Sequence, residues 1–309
     1  MIRRLIVFLA IVAAVFLFAL FSRALRVNAD RHSIQVDGKT RTYLLHVPAA
    51  SDSSKPRPLV LALHGRLGTG AGQASLSHLD QVADAHGFLV AYPDGLDRSW
   101  ADGRGGSPSD KNGVDDVKFL SQLIDQLATQ YNVDRSRVYA TGMSNGGFMS
   151  ARLACDLSDK IAAVAIVAAS LPTNVAAACQ PAKPVSVMIL QGTNDPLVPF
   201  NGGALGRNGD RGHVLSHELS VRRWVALDHC ATTPHTQHNP DTAGDGTSID
   251  VEVFSDCAGG NEVRGYTVRK GGHAWPGGTQ YLPELIIGKT TRNMDASEVL
   301  WDFFSHHSR

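Results

Sequence analysis

A serine hydroxyl becomes a nucleophile when the chain turns sharply beneath it, and small flanking residues leave room for such a turn. Gly142-Met143-Ser144-Asn145-Gly146 has that composition, with RVYATG before it and GFMSARLA after it. Such a serine needs a base to take its proton and a carboxylate to hold the base in one tautomer. Of His213, His217, His229, His235, His238 and His273, only His273 directly follows a predicted strand and sits in a glycine-rich turn, KGGHAWPGG. Asp195 stands just beyond the apolar run VSVMILQG, in the turn TNDPLVPF. Asp228, Asp250 and Asp256 are nearer to His273 in sequence but fall on a predicted helix end, a strand and a strand end. Ser144, Asp195 and His273 are therefore the candidate nucleophile, acid and base, in the chain order that a nucleophile elbow on a parallel sheet requires.

Acyl transfer also needs N–H donors aimed at the developing oxyanion. The amide of Asn145, the residue after the serine, is one candidate. The other is expected from HGRLGTGAG, with the Arg66 amide first and that of Leu67 second.

The elements that would position these groups follow from hydrophobic pattern. PLVLALHG, GFLVAYPDG, RVYATG, IAAVAIVAAS and VSVMILQG are short apolar runs, as expected of strands buried on both faces. Between them, LSHLDQVADAHG has helical spacing, and Val117, Leu120, Ile124, Leu127 and Tyr131 recur on one helical face. HSIQVDGKTRTYLLHVP predicts a hairpin about Asp37-Gly38. VEVFSD and EVRGYTVRKGGH predict the last strands, and DASEVLWDFF a closing amphipathic helix capped by Asp295, with Glu298 three residues on. Strands alternating with helices predict an α/β fold with a mostly parallel sheet covered on both faces. No boundary divides residues 30–309, and Asn201 to Gly212 reads as a loop, so one catalytic domain is expected there.

The chain of 309 residues is 43% hydrophobic with a formal net charge of zero, enough for a sizeable core. Scattered basic residues without aromatic platforms give no nucleic-acid footprint, and no nucleic-acid partner is expected. Residues 1–29 form a separate segment. MIRR precedes 17 apolar residues from Leu5 to Phe21, which reads as an export signal, with an uncleaved anchor through residues 5–21 as the alternative. Either way the rest of the chain is expected outside the cytoplasm, secreted or periplasmic. Cys155, Cys179, Cys230 and Cys257 suit disulfides in that setting; three pairings exist, and short loops favour Cys155–Cys179 with Cys230–Cys257. No two cysteines have a C-x-x-C spacing, no glycine-rich stretch has P-loop spacing, and the serine chemistry calls for no metal or organic cofactor.

From about Val36 to the C-terminus the chain resembles the α/β-hydrolase esterase family that contains poly(3-hydroxybutyrate) depolymerases and feruloyl or acetylxylan esterases. The resemblance rests on LHG at Leu63, YPDG at Tyr92, GVDDVKFL at Gly113, GMSNGG, QGTNDPLVPF, VRRWVALDHC, CAGG and GGHAWPG, in that order. It implies an α/β-hydrolase fold, the triad Ser144, Asp195 and His273, and a substrate site lined by Trp275 and the loop carrying Trp100. The bulky Arg66-Leu67 pair departs from the smaller residues that family often has there. These 309 residues contain no Ser/Thr-rich linker or polymer-binding segment, so small or oligomeric soluble esters are the expected substrates. The expectation is an exported serine esterase acting on hydroxyalkanoate oligomers or related esters. Its rivals are an esterase of plant cell-wall feruloyl or acetyl esters, an acyltransferase or peptidase with the same triad, and a non-catalytic binding protein of the same fold.

Overall fold

The computed structural model describes residues 30–49 and 54–309. The segment read as an export signal or anchor lies outside the described residues. Asp37 and Gly38, both at positive φ (51° and 73°), make the two-residue turn that their types predict. They join β1 (Asp30–Val36) to β2 (Lys39–His46) in an antiparallel hairpin. The strands that follow are β3 (Arg57–Leu63), β4 (Leu89–Pro93), β5 (Val133–Met143), β6 (Ala163–Val167) and β7 (Ser186–Gly192). After the short ribbon β8 (Gly203–Ala204) and β9 (His213–Val214) come β10 (His235–Asn239), β11 (Ser248–Phe254) and β12 (Val263–Arg269).

All but β8 and β9 join one ten-stranded sheet in the order β1-β2-β4-β3-β5-β6-β7-β12-β11-β10. The central strands β4, β3, β5, β6, β7 and β12 are mutually parallel; the antiparallel pairs lie toward the two edges. Because side chains alternate along a strand, each buried strand feeds two layers. Leu59, Leu61 and Leu63 pack with Phe119, Leu123 and Phe148 on one face, while Val60 and Ala62 pack with Leu79, Leu300 and Phe303 on the other. The helices Asp116–Gln130, Asn145–Asp156 and His217–Leu227 cover the first face. Gly70–Ser77, Leu79–His86 and Ala296–Ser305 cover the second.

Two local differences from the sequence reading have simple causes. The apolar pattern of LSHLDQVADAHG is split at His78, whose φ of 57° ends one helix and begins the next. Strand β10, HTQHN, is a mostly exposed edge strand with no apolar alternation to reveal it. The closing helix behaves as read in part: Asp295 caps it by accepting from the amides of Ser297 and Glu298. The Glu298 carboxylate, however, reaches His86 across the layer. Cysteines pair as Cys155–Cys179 and Cys230–Cys257, the two short-loop bridges.

Candidate active site

Parallel strands present their carboxyl ends at one rim of the sheet, and a crevice opens where neighbouring connections leave in opposite directions. Here β3 lies between β4 and β5, and the candidate residues follow strands at that rim. Ser144 follows β5, Asp195 follows β7 and His273 follows β12.

Ser144 occupies φ 58° and ψ −117°, a conformation L-residues avoid at a cost of about 1–3 kcal/mol. The turn is held by the Ser144 amide donating to Val167 O (2.9 Å) and by the first helical bond, Phe148 N–H to Ser144 O (2.9 Å). Its tightness explains the glycines: a Cβ on Gly146 would stand 2.2 Å from Leu63 O and 2.8 Å from His64 O. The serine is thereby lifted off the end of β5 with the first turn of the helix Asn145–Asp156 directly behind it.

His273 begins farther away, since β6 and β7 stand between β5 and β12. The chain after β12 crosses the end of β7 so closely that a Cβ on Gly192 would meet Gly271 O at 2.3 Å. The His273 amide then donates to Ile287 O (2.5 Å), and the Tyr281 hydroxyl donates to His273 O (3.1 Å). Nδ1 of the buried His273 ring lies 2.8 Å from Asp195 Oδ2. With Nδ1–H donating to the carboxylate, Nε2 is left as the basic nitrogen. Asp195 is itself fixed: its Oδ1 accepts from the amides of Leu197 and Val198, both at 2.8 Å. Among the described residues no hydrogen bond joins Ser144 Oγ to His273. Such bonds are often long in substrate-free enzymes and shorten in the substrate complex.

The loop after β3 carries the candidate second oxyanion donor. His64 Nε2 accepts from the Gly95 amide (2.9 Å), so its proton sits on Nδ1, which donates to Gly65 O (2.8 Å). Burial drives this imidazole's pKa down to about 4, against the pull of the Gly65 bond. With both ring nitrogens engaged, His64 is a brace between two loops. The Leu67 amide is committed to Arg98 O (2.8 Å), which removes it as an oxyanion donor. Among the described residues the Arg66 amide has no hydrogen-bond partner, and the Asn145 amide opens the helix at its unpaired first turn.

Both tryptophans expected to line the site are fully buried. Trp100 donates its indole N–H to His64 O (2.8 Å), and Trp275 donates to Ser297 Oγ (3.1 Å) in the layer under the closing helix. Both rings are packed inside in this structure. Trp100 holds the backbone at the end of β3, and Trp275 ties the loop bearing His273 to the closing helix.

The residues that sequence reasoning passed over are the charged ones beneath Trp100. Asp116, capped by Arg41 at 2.6 Å, also accepts from the Ala101 amide (2.7 Å), and this ion pair is almost wholly buried. Asp102 is held by Arg104 Nε (2.8 Å) and accepts from Asn145 Nδ2 (2.5 Å). Nothing in their local sequence separates these aspartates from ordinary turn residues.

A parallel sheet of this order, with a strained serine elbow and a following Asp–His pair, defines the α/β-hydrolase class. The solved structures agree on the fold: an acetyl xylan esterase from Aspergillus awamori superposes with a TM-score of 0.55 at 16% identity, covering 79% of this chain and 94% of its own. A thermostable esterase gives 0.54 at 15% identity over 91% of this chain and 64% of its own. Within that class, the chain belongs to the esterase family described as "Esterase PHB depolymerase", whose model matches residues 41–201. "Putative esterase NocK" of Nocardia uniformis subsp. tsuyamanensis is 33% identical over 87% of this chain and 80% of its own length. Feruloyl esterase B of Piromyces equi is 29% identical over 76% of this chain. The chain spans 42% of that relative's length, less than half.

Proposed function

We propose that this protein is an exported serine esterase that cleaves small or oligomeric carboxylic esters, hydroxyalkanoate oligomers foremost, through an acyl-enzyme. The observation that carries the reading is the buried Asp195–His273 pair at the same sheet rim as the strained Ser144 elbow. Ser144 Oγ attacks the ester carbonyl as His273 Nε2 takes its proton; Asp195 holds the ring and stabilises the imidazolium. The Asn145 and Arg66 amides receive the oxyanion. His273 then returns the proton to the leaving alcohol, and water, activated by the same nitrogen, releases the acid. Residues 30–309 act as one catalytic unit.

The relatives favour a second substrate class. Two of the curated relatives carry feruloyl or acetylxylan esterase names, so aryl and acetyl esters of plant cell walls are the alternative. Two disulfides support export, and among the described residues no helix is long and apolar enough to cross a membrane. A panel of nitrophenyl acetate, butyrate and octanoate, methyl ferulate and a soluble 3-hydroxybutyrate oligomer tests the reading. Turnover of any of these, lost in Ser144→Ala, supports it, and the preferred ester names the branch. Turnover that persists in Ser144→Ala rejects Ser144 as the nucleophile.

A further inference from the structure

The residue after a nucleophilic serine contributes its backbone amide to the oxyanion site, so its side chain is free to do something else. In this protein the Asn145 side chain makes three hydrogen bonds. Its Oδ1 accepts from the Trp100 amide (2.8 Å) while its Nδ2 donates to Trp100 O (3.1 Å) and to Asp102 Oδ2 (2.5 Å). The carboxamide thus pairs with both backbone groups of one residue, as adjacent strands do, and is pinned a third time by a carboxylate.

That carboxylate has no solvent exposure. A buried charge is tolerated only when paired and hydrogen-bonded. Asp102 meets the condition through Arg104, whose Nε reaches both carboxylate oxygens (2.9 and 2.8 Å). Arg104 in turn lies over the Phe148 ring, 4.5 Å from its centroid, and donates to Arg211 O (3.3 Å). Phe148 is one turn along the elbow helix from Asn145, so the network leaves the helix at Asn145 and returns to it at Phe148. The loop bearing Trp100 is anchored separately by the Ala101 amide on Asp116 and by Arg152 Nη1 on Ala101 O (2.6 Å).

We propose that Asp102 is a positioning residue for the oxyanion site: acting through the Asn145 carboxamide, it sets the direction of the Asn145 N–H. The inference rests on the serine-esterase reading. A lone turn aspartate would be solvated, and a merely structural ion pair would stop at Arg104; this one spends its second oxygen on the residue adjoining the nucleophile. A donor misdirected by a fraction of an ångström loses much of its value, because the benefit depends on preorganisation toward the tetrahedral state.

A double-mutant cycle on the full chain tests this, using nitrophenyl butyrate and an alkyl boronic acid as a tetrahedral probe. Asp102→Ala and Asn145→Ala should each lower kcat by about 10- to 100-fold, with KM within about threefold. Their double variant should be little worse than either single one, because both remove the same restraint. Boronate affinity should fall in parallel with kcat/KM. If Asp102→Ala does not fold, Asp102→Leu, which keeps the volume and offers no acceptor to Asn145 Nδ2, carries the same cycle. Multiplying effects in the double variant, wild-type kcat in the Asp102 variant, or unchanged boronate affinity would each overturn the proposal. Failure of the underlying reading looks different: Ser144→Ala would keep the ester rate, or wild type would bind no boronate.

Discussion

Two buried aspartates at the same rim of the sheet are neutralised in opposite ways. Asp116 faces an arginine, Arg41, at 2.6 Å, and the pair is sealed from water. Asp195 has no arginine on it; two backbone amides hold one oxygen and the His273 ring holds the other. An arginine is a permanent cation, so Asp116 is satisfied whatever else happens. With only amides and an imidazole against it, Asp195 is placed to stabilise the imidazolium that the proposed mechanism forms on His273. The first carboxylate is neutralised by a fixed cation; in the proposed mechanism the second serves a change of charge at its neighbour. Asp228 makes a third case: Val185 N–H binds Oδ1 (3.2 Å), and among the described residues the buried Oδ2 has no partner.

The contrast can be broken most sharply at Asp195. Asp195→Asn keeps an oxygen for the Leu197 and Val198 amides but can present N–H to His273 Nδ1, favouring the wrong tautomer. A fall in kcat of about 10³-fold with little change in melting temperature is expected. Loss of folding in place of loss of rate would make Asp195 a structural residue like Asp116.

Arg41→Met should do the reverse. It strands a buried carboxylate, which costs about 3–5 kcal/mol when one partner of such a pair is removed. Denaturant melts should show that loss, while the surviving folded protein keeps far more activity than Asp195→Asn. A melt unchanged from wild type would mean that the pair contributes no net stability.

Asp228 sharpens the comparison by pH. Burial raises its pKa to about 7, opposed by the Val185 amide, against about 3.9 in the unfolded chain. A group raised on folding contributes stability that is full below the unfolded value and is lost as pH rises through the folded one. Asp228→Asn should therefore gain on wild type between about pH 4 and pH 7, the gap levelling off above that window. A gap independent of pH from 4 to 8 would contradict the assignment.

What could be read from the sequence divides along the same line. The strands were visible because parallel strands buried on both faces are continuous apolar runs, and the elbow because close backbone approach at Gly146 forbids a Cβ. Asp195 and His273, which the structure pairs, stood out as candidates because each lies just beyond such a run. Strand β10 was not, since an exposed polar edge carries no alternation. Asp102, Arg104, Asp116 and Arg41 were hidden because their pairing joins loops and strands far apart in the chain. The packing of Trp100 and Trp275 was hidden for a related reason: a tryptophan beside such a loop can face the site or brace the loop, and the sequence does not separate the two.

The most direct test of the account is covalent. An organophosphonate ester should label the protein once, on the peptide holding Ser144, with ester hydrolysis falling in step with labelling, and His273→Ala should slow both together. Labelling at another residue, or full hydrolysis after Ser144 is blocked, would contradict the assignment of Ser144 as the nucleophile.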